Sequence, residues 1–68
     1  MNIFTSGMRS GKTVAFAKTV APLIKDGASV MVAGKIEYAW NLKEILMNLG
    51  VITVIEPAEK GHILKLKV

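Results

Sequence analysis

Apolar residues in this chain come in short bursts at two different spacings. Asn2 to Thr5 is a brief, partly apolar run that reads as a strand, and Ser6 to Ser10 reads as a glycine-containing turn. From Gly11 or Lys12 onward, Val14, Phe16, Ala17, Val20, Ala21 and Ile24 recur at helical spacing. They cover a broad face, as a helix packed on a sheet requires. Pro22 cannot donate to the carbonyl of Lys18, so the last turn should kink or loosen, and Gly27 supplies a stop.

Ala28 to Ala33 is an almost unbroken apolar run, the pattern of a parallel strand covered on both faces, and Gly34 ends it. A second helix is expected over Asn41 to Leu49, with a start as early as Ile36 also allowed. Leu42, Ile45, Leu46 and Leu49 give it an apolar face, Asn41 and Glu44 form a box-like capping pair, and Gly50 closes it. Val51 to Ile55 is the clearest strand, with Pro57 as its terminator. His62 to Val68 alternates, with Leu64, Leu66 and Val68 on one side and Lys65 and Lys67 on the other. That is the pattern of a half-exposed edge strand. Strands alternating with helices argue for α/β with a parallel sheet and right-handed crossovers.

The chain has 68 residues, 51% of them hydrophobic, which sets one small core-forming domain or a fragment of a larger one. It contains no cysteine and a single histidine, His62, which excludes a cysteine-based zinc site and makes imidazole metal binding poor. The stretches Val51 to Ile55 and Ser29 to Gly34 are too short to span a bilayer. No basic-then-apolar amino terminus marks a signal peptide, so the default expectation is cytoplasmic and without a membrane. A net charge of +4 tilts partners toward anions such as nucleotides or nucleic acid, although scattered lysines read equally as a solvated surface. The one small basic cluster is Lys60, Lys65 and Lys67.

The stretch that carries chemistry is Ser6-Gly7-Met8-Arg9-Ser10-Gly11-Lys12-Thr13. It follows the phosphate-loop pattern G-x-x-x-x-G-K-[ST] in register at Gly11, Lys12 and Thr13, with Ser6 at the first glycine position and Gly7 beside it. Successive backbone N–H groups in such a loop form a nest for phosphate oxygens. The helix beginning at Gly11 adds unpaired donors and the positive end of its dipole. Lys12 would reach the β- and γ-phosphates of ATP or GTP, and Thr13 would place a hydroxyl on Mg²⁺. An ordinary glycine turn before a helix is the plainer reading of the same string.

At these residues the sequence resembles the P-loop NTPase superfamily, over Asn2 to about Gly34, and beyond that by element order. The string Met8-x-Ser10-Gly11-Lys12-Thr13 looks like the loop of thymidine kinases with a G-x-M-x-S-G-K-[ST] pattern, where it binds ATP. The layout of Ser29 to Ile55 is similar to helicase-like and translocase-like ATPases. The resemblance implies a small parallel-sheet P-loop core of order β-loop-α-β-α-β, incomplete, with a C-terminal edge strand. It would occupy residues 1–68 as a single domain or as the amino-terminal fragment of one. It also implies nucleotide binding with Mg²⁺, and hydrolysis or phosphoryl transfer.

Further residues carry two readings each. Glu56, ending an apolar strand, resembles the second acidic motif of such ATPases and would hold Mg²⁺ or orient water; it reads equally as a solvated strand-end carboxylate. Arg9 and Lys35 are phosphate contacts or surface cations. Tyr38 and Trp40 are base-stacking or core aromatics. The rival function is a non-catalytic interaction protein that keeps the P-loop fold and binds a partner or nucleic acid through its basic edge strand. A domain this small leaves sheet edges and apolar surface uncovered, so self-association or a larger partner completing the site is also expected.

Overall fold

The computed structural model describes residues 2–5 and 10–68. In chain order they form β1 (Asn2–Thr5), α1 (Ser10–Lys25), β2 (Ser29–Ala33), α2 (Ile36–Asn48), β3 (Thr53–Ala58) and β4 (Gly61–Leu66).

Both helices end the same way, for a reason visible in their glycines. Gly27 and Gly50 take positive φ, 105° and 85°, which costs a residue without a Cβ little. At the end of α1, the Gly27 N–H donates to the Ile24 carbonyl at 2.9 Å and the Ala28 N–H to the Leu23 carbonyl at 3.0 Å. At the end of α2, Gly50 donates to Met47 at 3.0 Å and Val51 to Leu46 at 2.9 Å. These paired bonds are Schellman motifs, which satisfy the last carbonyls of a helix. Ala28 and Val51, the residues that follow, are buried, so each helix turns straight back into the core.

The buried stripe of α1 runs through Thr13, Ala17, Val20, Ala21 and Ile24. Val14, assigned to that face by spacing, is one helical step off the stripe and is exposed. Pro22 lies on the exposed side, and α1 continues through it for one more turn. α2 starts at Ile36, the earlier of the two starts its sequence allows, and not at Asn41. Ala39 belongs to the same buried stripe as Leu42 and Leu46, so packing carries the helix a turn beyond the polar pair. Asn41 is exposed inside the helix and the N-cap is Lys35, which makes no side-chain capping bond. Leu49 and Val68, expected on buried faces, are exposed.

The sheet departs from expectation most. Its strand order is β1-β2-β4-β3. β1 pairs with β2 in parallel, Asn2 opposite Ser29 through Thr5 opposite Val32. β4 is antiparallel to both β2 and β3. The purely parallel P-loop core with a C-terminal edge strand is therefore not formed. Instead β2, β4 and β3 make a three-stranded antiparallel array, with β1 added in parallel at one side.

Two local causes explain this. Glu59 and Lys60 close a tight β3–β4 hairpin, with Ala58 opposite Gly61, so β4 is delivered beside β3 at little loop-closure cost. Pro57 does not terminate β3 but lies within it, opposite His62. A proline lacks the N–H that a strand paired on both sides needs, and β3 accordingly takes the edge. β4 then fills the slot between β2 and β3, and Leu64 becomes fully buried. Gly61 makes that slot possible. A Cβ there would lie 2.1 Å from the Val32 carbonyl oxygen and 2.8 Å from the Ala33 Cα.

Both helices pack on one face of the sheet. A single cluster joins Ala17, Val20 and Ile24 of α1 and Ala39, Leu42 and Leu46 of α2 with Val30, Val32 and Leu64 of the strands. The alternate strand positions, among them Met31, Val54, Glu56, Ile63 and Lys65, lie on the face away from the helices. Among the described residues, no helix is long and apolar enough to cross a membrane.

Candidate functional site

The chain path fixes where the phosphate-loop residues lie. β1 and β2 are parallel, and α1 must run back between them. The start of α1 therefore sits at the carboxyl edge of those strands and its Schellman end at the opposite edge. Ser6, Gly7, Met8 and Arg9 fall outside the described residues. Ser10, Gly11, Lys12 and Thr13 form the first turn of α1, one to two residues earlier than the expected helix start. Lys12 is exposed. Thr13 is 2% exposed and lies on the core-facing stripe of α1, so its side chain is part of the packing between helix and sheet.

Three other segments end at this edge. β2 leaves it through Gly34 and Lys35, α2 begins there, and the β3–β4 turn returns there. The turn and the exit of β2 are tied together, since the Gly34 N–H donates to the Lys60 carbonyl at 3.5 Å and Ala33 pairs with Gly61. Lys12, Lys35 and Lys60, each exposed, thus reach one edge from three separate elements. Tyr38, in the first turn of α2, lies there too, 40% exposed. A Cβ on Gly34 would be 3.4 Å from its ring. Glu37 and Glu59 are the carboxylates of this edge, and both are exposed.

The basic cluster expected at Lys60, Lys65 and Lys67 is dispersed. Lys60 is in the hairpin turn at the carboxyl edge. Lys67 follows the far end of β4, where its N–H donates to the Ile52 carbonyl at 3.0 Å. Lys65 lies on the helix-free face with its Nζ 2.9 Å from Glu56 Oε2. That pair is half exposed, so it is screened and contributes little stability. Glu56, the acidic residue read as a Mg²⁺ or water-orienting group, is thereby separated by the sheet from α1 and Lys12. The reason is register: Ile55 packs against the core, so its neighbour Glu56 must face the other way.

His62 had no role in the sequence reading beyond an edge-strand residue. It sits in β4 opposite Val32 and Pro57, on the helix-bearing face, and its Nδ1 is buried without a hydrogen-bond partner. Nothing in its local sequence marks this, because burial came from the insertion of β4 into the sheet. Among the described residues, no group of three or more acidic or histidine side chains is placed to hold a metal ion. Comparison with protein-family models, curated proteins and solved structures finds no match to this chain.

Proposed function

We propose that the carboxyl edge of the sheet binds the polyphosphate of a nucleotide, ATP or GTP, with Lys12 as its principal cation. The observation that supports this best is convergence. A phosphate-loop sequence leads into the first turn of α1, and Lys12, Lys35 and Lys60 arrive at the same edge from three elements. A helix start offers unpaired N–H groups and a positive dipole end, to which these ammonium groups add. Among the described residues, the three lysines set against Glu37 and Glu59 leave one positive charge in surplus at this edge, which suits an anionic ligand neutralised partly by Mg²⁺. Tyr38 offers an exposed ring beside Lys35 for the base.

In this reading Mg²⁺ is held by phosphate oxygens and water, as that ion prefers, and Glu56 has no part in it. Thr13 acts as a packing residue whose backbone N–H belongs to the helix start. The proposal is one of binding and assigns no hydrolysis or phosphoryl transfer. A cytoplasmic setting, where nucleoside triphosphates are abundant, accompanies it.

The alternative of a nucleic-acid binder working through a basic edge strand loses its geometry, because β4 is interior and Lys65 is paired. Calorimetric titration of ATP and GTP with Mg²⁺ into wild type and Lys12→Ala tests the proposal. Micromolar binding, lost in the variant while circular dichroism stays unchanged, is the expected result. Salt-sensitive binding to DNA that is indifferent to Lys12→Ala would contradict it.

A further inference from the structure

His62 is the one histidine of the chain, and the insertion of β4 sets it at the boundary of the core. It is the second residue of β4, opposite Val32 on one side and Pro57 on the other. Val32 is buried and Pro57 is exposed, so the partly buried imidazole stands where the core gives way to solvent. Its Nδ1 is buried without a hydrogen-bond partner, whereas Nε2 is not sealed off in this way.

A buried polar atom without a partner is costly, and its presence in a folded chain calls for a reason. A leucine would fill the same place without an orphaned nitrogen. The ring makes sense if its other nitrogen is used. A neutral imidazole has one N–H donor and one bare acceptor nitrogen. Orphaned buried N–H groups are rarer than orphaned acceptors, so Nδ1 is the bare nitrogen and the proton sits on Nε2. The position suits such a use. His62 follows Lys60 and Gly61, and Gly61 pairs with Ala33 where Gly34 and Lys35 leave β2. Its side chain lies on the helix-bearing face, near the edge at which α1 begins with Lys12 and α2 with Tyr38.

We propose that His62 is a ligand of the polyphosphate bound at the carboxyl edge, its Nε2–H donating to a phosphate oxygen while Nδ1 stays against the core as a bare acceptor. The inference rests on the phosphate-binding reading and deepens it. The lysines bring charge on flexible stems, whereas an imidazole held by an interior strand brings a donor of fixed direction. His62 thus sets where the phosphate chain lies, and the ammonium groups supply its attraction.

Glutamine places a side-chain N–H close to where Nε2 stands, asparagine places one close to Nδ1, and leucine has none. Calorimetry with Mg²⁺ and either ATP or tripolyphosphate is run on wild type, Lys12→Ala, His62→Gln, His62→Asn and His62→Leu, with circular dichroism as the check on folding. His62→Leu and His62→Asn should bind both ligands about tenfold more weakly, and His62→Gln should stay within about threefold of wild type. Because the chain has one histidine, its ring nitrogens give a single pair of nitrogen-15 signals. They should show a protonated Nε2 and a bare Nδ1, with Nε2 moving as either ligand is added. Affinity unchanged in every His62 variant but lost in Lys12→Ala overturns this inference and leaves the phosphate edge standing. An equal loss in all of them makes His62 a packing residue and also overturns it, as does an effect seen with ATP and not with tripolyphosphate. A wild-type Nε2 signal that stays fixed through saturation overturns it whatever the variants do. No binding of either ligand by the folded wild type removes the phosphate edge itself, and this contact with it.

Discussion

The two halves of this molecule were written in much the same hydrophobic code and folded by different rules. In the first half, β1, α1 and β2 form the parallel unit that alternation predicts, with the register running from Asn2 opposite Ser29. In the second half, α2 leads to a strand of the same direction, but β4 turns back and wedges between β2 and β3. Period fixes whether a segment is helix or strand. It does not fix which strand lies beside which. That choice was made by a two-residue turn, a proline and a glycine.

The sharpest way to break the second half is at Gly61. Gly61→Val should cost about 3 kcal/mol or more, because the added atoms meet backbone of β2 that cannot move aside. Loss of the far-ultraviolet dichroism signal at room temperature would be the readout. Leu64→Ala comes next, at about 2–5 kcal/mol in urea denaturation, the range for a buried leucine. A half-exposed edge strand would lose well under half of that, so this variant separates the interior β4 from the edge strand that its alternation resembles.

Gly50→Ala should cost about 1 kcal/mol, since a Cβ meets no atom there but φ is positive. Thr53→Val sharpens the comparison from the other side. The Thr53 hydroxyl is buried without a partner, so an isosteric apolar replacement should be neutral or stabilise by up to about 1 kcal/mol. The smallest effect belongs to Lys65→Ala. It should change stability by less than about 1 kcal/mol and mostly at low salt, as an exposed ion pair does.

Much of the element order was legible. Gly27 and Gly50 announced two helix ends because only a glycine takes their φ at little cost. The apolar faces of both helices were readable apart from Val14 and Leu49, which a broad spacing rule cannot separate from their buried neighbours. The hairpin was not legible. No Asn-Gly or Asp-Gly marks it, and Glu59 and Lys60 keep negative φ, outside the turn chemistry that sequence patterns detect. Pro57 was visible but ambiguous, since a proline either ends a strand or marks an edge.

The candidate site inherits this division. Lys12 could be picked out by its motif. Its grouping with Lys35 follows from the parallel β1-α1-β2 unit, and only the arrival of Lys60 depends on the hairpin; Glu56 faces away because it alternates with the core-packed Ile55. Burial of the His62 Nδ1 is a consequence of sheet order.

Amide chemical shifts recorded during titration with Mg²⁺ and ATP test the account most directly, because they map binding onto both halves at once. The predicted result is a set of shifts confined to the phosphate-loop sequence and first turn of α1, residues 6–13, together with Gly34, Lys35, Tyr38, Lys60 and His62, abolished by Lys12→Ala. Shifts centred on Lys65 and Lys67, or none in the folded chain, would contradict it.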